Sequence, residues 1–240
     1  MKDIFLVDAD DTVLDFHGAS ALALRAAFAG QGVMWKEEYL TVFREVNDGL
    51  WSALERKELT RAELLRTRFP NYLQALDLHL DSEAFNGAYL EYLATHPHYI
   101  DGAEAFLSAL NKMGSVYIVT NGTERIQQSR FSRCGLYAYA KDVFISERIG
   151  YNKPAGEYTQ YVLSHIPNFS VERAVWIGDS LNADIRAANE AGITSVWLNR
   201  TGKPRESGII PDYEADNLQK ILMILQRICV DNSNFPFQNI

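Results

Sequence analysis

The chain is poor in the features that would place it outside the cell interior or in a membrane. Of 240 residues only two are cysteine, Cys134 and Cys229, with no CxxC pair. Neither a disulfide framework nor a cysteine zinc site is supported. Long apolar runs are missing as well. The opening MKDIFLVDAD stops at Asp8, too short for a secretory leader, and Ile221–Leu225 falls far short of the ~20 residues that span a bilayer. Cations are in deficit: 23 Lys and Arg against 31 Asp and Glu leave a formal charge of −8. Nucleic-acid backbones and anionic membranes bind through clustered Lys and Arg, so neither is an expected partner. The expectation is a reduced, cytoplasmic, soluble protein whose oligomeric state is open.

What is present is an ordinary globular composition, 47% apolar and 22% charged. Short β-branched runs recur at Ile4–Val7, Val116–Thr120, Val143–Ile145, Val175–Ile177 and Ser195–Leu198, each followed by a helix-like stretch. Continuous apolar runs read as strands buried on both faces, and helices between them imply parallel crossovers. The prediction is an open α/β fold with a parallel five-stranded sheet. Asp101-Gly-Ala-Glu104 and Thr60-Arg-Ala-Glu63 read as capping boxes, Gly114 as a helix stop, and Ser180 as a cap for a helix that runs to Ala191, with Gly192 as its terminator. Residues 16–97 break the rhythm: Ala19–Ala29, Glu37–Arg56, Thr60–Leu78 and Ser82–Thr95 are all helical, too long a stretch for a crossover. The predicted division is a core of residues 1–15 and 98–230, an inserted all-helical domain at 16–97, and an irregular tail at 231–240. Arg125, Arg130 and Arg133 read as a solvated helix face, and the aromatics Phe16, Trp35, Tyr39, Phe43 and Trp51 mostly as core of the insert.

The first strand runs into Asp8-Ala9-Asp10-Asp11-Thr12. Alternate residues of an extended segment point the same way, so Asp8 and Asp10 can face one site at the carboxyl end of a strand, where open α/β folds bind ligands. Crowded carboxylates repel, a divalent cation relieves the repulsion, and hard oxygen ligands suit Mg²⁺. Taken alone, the segment reads equally well as a solvated acidic turn.

Three further segments sit at strand ends or helix starts in a fixed order: Thr120-Asn121-Gly122, Lys153-Pro154, and Gly178-Asp179-Ser180-Leu181-Asn182-Ala183-Asp184. As a set, the four motifs resemble the haloacid dehalogenase (HAD) superfamily of phosphohydrolases, with a HAD-like Rossmannoid core and a helical C1 cap. The Asp-Ala-Asp opening, the Asn47…Leu50-Trp51 stretch and Val119-Thr120-Asn121-Gly122 resemble YjjG-type pyrimidine 5′-nucleotidases more narrowly. The resemblance implies a nucleophile at Asp8, a general acid and base at Asp10, and a fixed cation at Lys153. It implies phosphate donors at Thr120, Asn121 and Lys153. Mg²⁺ would be held by Asp8, the main-chain carbonyl of Asp10 and Asp179, with Asp184 behind them. Positive charge is needed, because a carboxylate approaching a phosphate at 4 Å is repelled by ~4 kcal/mol per charge pair at an effective dielectric of 20. Phe16 and Trp51 are the candidate contacts for the leaving group. The implied substrate is a small phosphorylated metabolite, a nucleoside monophosphate foremost. Another phosphomonoester, a 2-haloacid, or a silent binding module are the alternatives.

Overall fold

The computed structural model describes residues 1–205 and 208–229; the tail read as irregular at 231–240 lies outside the described residues. The described residues form two compact units, one of Met1–Leu14, Tyr99–Thr123 and those from Gly135 onward, the other of Asp15–His98 and Glu124–Cys134.

The first unit is built on a parallel sheet of β1 (Ile4–Val7), β2 (Ser115–Thr120), β3 (Asp142–Ile145), β4 (Ala174–Gly178), β5 (Thr194–Leu198) and β6 (Tyr213–Ala215). Its order is β3-β2-β1-β4-β5-β6, every neighbouring pair parallel. The sheet thus has six strands rather than five. The extra one is a three-residue edge strand whose Tyr213 and Glu214 are exposed, so it carries no apolar run by which to be recognised. The helices of this unit are α5 (Ala103–Met113), α7 (Ser146–Ile149), α8 (Gly156–Ser164), α9 (Arg186–Glu190) and α10 (Leu218–Ile228). Side chains follow the period of two expected of strands. Ile4, Leu6, Tyr117, Val119 and Trp176 pack against Tyr158 and Val162 of α8 and Ala187 and Ala188 of α9. The alternating residues Phe5, Val7, Val116, Ile118, Val175 and Ile177 are equally buried.

Register decides where the polar segments emerge. Val7 stands opposite Ile118 of β2 and Ile177 of β4, so the chain beyond all three strands leaves the sheet along one edge. Strand order reverses direction between β1 and β4, the switch point where such sheets open a crevice.

The second unit holds α1 (Phe16–Gly30), α2 (Glu38–Glu55), α3 (Arg61–Ala75), α4 (Ser82–Thr95) and α6 (Glu124–Cys134). Asp15 caps α1 by accepting from Gly18 N, and Asp81 caps α4 by accepting from Glu83 N and Ala84 N. The Thr60–Glu63 box on α3 forms reciprocally, with Glu63 N donating to Thr60 Oγ1 at 3.2 Å and Thr60 N donating to Glu63 Oε2 at 2.8 Å. The core is aromatic: Phe28 lies 4.8 Å from both Tyr39 and Phe85, and Phe69 lies 4.9 Å from Tyr89, centroid to centroid. Among the described residues no helix is long and apolar enough to cross a membrane.

Two local expectations are corrected. The Asp101–Glu104 box does not form: the cap of α5 is Gly102 in the left-handed region (φ 81°), with no side-chain capping bond. Arg130 is not solvated but 1% exposed, and donates from Nη1 to Gln127 Oε1 at 2.8 Å. The reason is that α6 packs on α4, with Ser129 Oγ donating to Ala94 O, so Ile126, Gln127 and Arg130 face inward. That packing also groups residues 124–134 with the helical unit, although in chain order they follow β2.

Gly114, at the end of α5, is held by close approach. A Cβ there would meet the Asp3 carbonyl oxygen at 2.1 Å and its carbon at 2.6 Å, both rigid backbone. Replacing Gly114 by Ala should therefore cost about 1–3 kcal/mol, as overpacking does, read as a lower midpoint in urea with an unchanged m-value.

Candidate active site

The first residue past β1 is Asp8. Its backbone N–H still donates to Ile177 O at 2.9 Å, so the sheet fixes its position before the chain turns away. The turn is tight: Val13 N and Leu14 N both donate to Ala9 O, and Asp11 takes a left-handed conformation (φ 57°). The buried Asp8 carboxylate accepts from Lys153 Nζ at 2.6 Å on Oδ1 and from Thr12 Oγ1 at 3.1 Å on Oδ2.

Lys153 lies between α7 and α8, before a cis peptide bond to Pro154. Its ammonium donates to Asp8 Oδ1 and Asp184 Oδ1, each at 2.6 Å, and to Val119 O at 2.9 Å. Three donors thus meet three acceptors. The Lys153 backbone is clasped from β2: Asn121 Nδ2 donates to Lys153 O at 3.0 Å, and Lys153 N donates to Asn121 Oδ1 at 2.8 Å. Thr120 is buried beside it and accepts from Gly122 N on Oγ1.

The third strand end supplies Asp179 and Asp184. Asp184 sits in a wide helical turn, Leu181–Ile185, capped by Ser180 Oγ accepting from Ala183 N. Its Oδ2 accepts from Ser180 N at 3.2 Å, and its Oδ1 from Trp176 Nε1 at 3.4 Å as well as from Lys153. Asp184 lies so close over Gly178 that a Cβ there would be 2.2 Å from its Cγ. Asp179 is half-buried, and its main-chain carbonyl accepts from Trp197 Nε1 at 2.8 Å. Carboxylate oxygens of Asp8, Asp179 and Asp184 come within 4.8 Å of one another.

A family model of haloacid dehalogenase-like hydrolases matches residues 2–192 of this sequence. The chain belongs to that hydrolase family. YfnB of Bacillus subtilis is 40% identical over 220 residues, 92% of this chain and 94% of its own. A crystal structure of YfnB bound to magnesium superposes with a TM-score of 0.88 at 39% identity, over 93% of this chain and 98% of the other. The pyrimidine 5′-nucleotidase PynA of Streptococcus pneumoniae is 32% identical over 231 residues, 96% of this chain and 98% of its own. The pyrimidine 5′-nucleotidase YjjG of Escherichia coli is 28% identical over 223 residues, 93% of this chain and 97% of its own.

In this HAD hydrolase the α/β unit brings together Asp8, Thr120, Asn121, Lys153, Asp179 and Asp184. The Asp10 side chain stands outside the carboxylate group of Asp8, Asp179 and Asp184, although its charge is near enough to act on Asp8. Phe16 and Trp51 belong to the helical unit. Phe16 opens α1 and packs on the helical core, and Trp51 is half-buried in α2 under the Arg61 guanidinium, 5.7 Å from its centroid. Four further residues serve the site although the sequence carries no sign of that role: Thr12, Trp176, Trp197 and Gly178. Thr12 was visible only as the end of the acidic motif, Trp176 and Trp197 only as strand residues, and Gly178 only as the start of another motif.

Burial raises the Asp8 carboxyl; Lys153 pulls it down, Asp184 and Asp10 push it up, and it rests at about 7. Asp179 is held well above the usual carboxylate range by desolvation and by Asp11, Asp8 and Asp184, against a small opposing pull from Lys203. For Lys153, burial works against the ammonium, but Asp184 and Asp8 outweigh it and raise its affinity for the proton. With all three carboxylates ionised, one ammonium would leave two negative charges in excess, which is why two of them hold protons so readily. An all-oxygen set with that excess fits a hard divalent cation.

Two outcomes test this geometry. Gly178→Ala forces Asp184 off Lys153 and should lower both stability and turnover, whereas Gly87→Ala, at a site with open space around the added Cβ, should not. The second concerns pH. A carboxyl raised from 3.8 to about 7 on folding binds a proton more tightly in the folded chain, so its contribution to stability is largest in acid and falls as pH climbs from about 4 to 7. In metal-free buffer, the stability of the natural protein minus that of Asp8→Asn should decline across this window. A flat difference would contradict the assignment.

Proposed function

We propose that this hydrolase is a Mg²⁺-dependent phosphomonoesterase that works through an aspartyl-phosphate on Asp8, with nucleoside 5′-monophosphates, pyrimidine ones foremost, as substrates. The supporting observation is the buried Asp8 sharing one ammonium, Lys153, with Asp184, at the strand edge that also carries Asp179. The pyrimidine preference rests on the similarity to PynA and YjjG.

In the first half-reaction an Asp8 carboxylate oxygen attacks phosphorus, and the bond from phosphorus to the ester oxygen breaks as the new bond forms. Asp10 gives its proton to the departing alkoxide. In the second half, the same Asp10 takes a proton from water as that water attacks phosphorus, restoring the Asp8 carboxylate and releasing inorganic phosphate. Thr120, Asn121 and Lys153 donate to the phosphoryl oxygens, and charge stabilisation of this kind carries most of phosphoryl-transfer catalysis. Asp8, the main-chain carbonyl of Asp10 and Asp179 would hold Mg²⁺, which would supply the remaining positive charge. Asp184 keeps Lys153 in place. Phe16 and Trp51 are proposed to contact the leaving group. An acid at position 10 favours an ester over a carbon–halogen bond, because a departing halide needs no proton.

The direct test is phosphate release from a panel of pyrimidine and purine 5′-monophosphates, sugar phosphates and phosphoglycolate, with Mg²⁺ and with excess chelator. Release should require metal and favour uridine and cytidine monophosphates. Asp10→Asn should lower the rate about 10²- to 10⁴-fold, and Asp8→Asn should reach background. A chelator-resistant rate, or wild-type activity in Asp8→Asn, would overturn the mechanism. Independently of turnover, Mg²⁺ should raise the melting temperature of the natural protein, by about 2.7 kcal/mol of stability at 100 times its Kd, and should raise that of Asp179→Asn far less.

A further inference from the structure

A second lysine is held at the carboxyl edge of the sheet by the device that holds Lys153. Asn199 is the first residue past β5, as Asn121 is past β2. Its buried carboxamide accepts from Lys203 N at 2.8 Å and donates to Lys203 O at 3.0 Å, the same two bonds that Asn121 makes to Lys153. Asn199 N donates to Ala215 O at 2.7 Å, and Asn199 Nδ2 donates also to Glu214 Oε1 at 2.7 Å, so β6 braces the clasp. The strand that carries Asn199 adjoins the active site. Trp197 stands opposite Gly178, and its Nε1 donates to the Asp179 carbonyl at 2.8 Å. The Lys203 backbone is thus fixed beside the strand end that bears Asp179, while its side chain is exposed. Arg205, on the same loop, pairs with Glu214 at 2.8 Å, whereas Lys203 meets no carboxylate among the described residues. Its charge reaches Asp179, where it opposes Asp11, Asp8 and Asp184.

A cation in that place acts in opposite senses on two ligands. A phosphomonoester is an anion approaching a chain of formal charge −8, and an ammonium at the rim of the strand edge offsets that repulsion. The same ammonium repels Mg²⁺. This sign holds even where the metal displaces one proton from the acids, because the site still gains one positive charge. We propose that Lys203 is a recruiting cation of the active site, whose clasped position lets its ammonium strengthen the binding of a phosphate group and weaken that of the divalent cation. Lys153, buried, serves the reacting groups; Lys203, exposed, serves the arrival of the substrate. The inference rests on the phosphomonoesterase reading and adds to it a residue that sets affinity.

The test is calorimetry on the full chain at about pH 8, above the Asp8 value of about 7. Mg²⁺ alone is one probe; inorganic phosphate, added to the Mg²⁺-saturated protein, is the other. Lys203→Met should tighten Mg²⁺ and weaken phosphate, each about 3- to 10-fold at low salt, the reach of one exposed charge across several ångströms. Lys203→Arg keeps the charge and should restore both affinities. At about 0.5 M salt the differences should shrink towards nothing, since exposed charges are then screened. In turnover, the loss in Lys203→Met should fall on KM rather than on kcat. A lysine that only holds the loop would, on removal, weaken both ligands or neither. Changes of the same sign, no change, or differences that survive high salt overturn this inference and leave the phosphomonoesterase reading standing. A natural protein to which Mg²⁺ or phosphate does not bind removes that reading itself, and this inference with it.

Discussion

The Lys153 ammonium, buried between Asp8 and Asp184, is the interaction on which the α/β unit is organised. A buried charge of either sign is costly unless it is paired, and here the ammonium and the two carboxylates supply one another's partners. The three groups come from three separate places in the chain: the end of β1, the loop before α8, and the turn after β4. Everything around them serves to hold one nitrogen within hydrogen-bond reach of two oxygens. The sheet register delivers Asp8, the Asn121 carboxamide clasps the Lys153 backbone, and Gly178 gives up its side chain so that Asp184 can approach.

The same triad explains why a metal suits this unit. Once Asp179 joins, negative charge would exceed positive by two with every acid ionised, and Asp8 and Asp179 are both held above their ordinary proton affinity. A site in that condition gains by taking up either protons or a cation, and carboxylate oxygens of this kind select a hard one. The strain is spread rather than relieved: Thr12, Trp176 and Ser180 each donate one hydrogen bond to the carboxylates, which spares them further desolvation.

The two units are stabilised by different means. The α/β unit buries alternating aliphatic residues on both faces of its sheet, a pattern that reads directly along the chain. The helical unit relies on an aromatic cluster of Phe28, Tyr39, Phe43, Phe69, Tyr72, Phe85 and Tyr89. Aromatic side chains bring large buried area but tolerate polar neighbours at their edges. This is where the buried Arg68 is accommodated, its guanidinium 4.8 Å from the Phe69 centroid, and where Tyr89 shares its hydroxyl with Ser20 at 2.7 Å.

Strands β1 to β5, four helices of the insert and the Thr60–Glu63 cap were legible because each depends on neighbours a few residues away: apolar runs, helical spacing, a reciprocal box. The acidic motif and Lys153 were legible only as an ordered set, since each alone reads as a solvated turn. Strand β6 has no signature in the sequence because pairing with β5, not composition, makes it a strand. The Asp101–Glu104 box does not form because a left-handed Gly102 takes the cap, and the burial of Arg130 is not legible in the sequence because only the packing of α6 on α4 turns it inward. The sequence by itself determined the parallel α/β class, the helical insert and the residue types of the site. Tertiary structure alone decided which acids share Lys153, that Asn121 holds the lysine backbone, and that Gly178 must lack a side chain. Those are contacts between residues 8, 121, 153, 178 and 184, and pairing across such separations is set by register and packing rather than by any local preference.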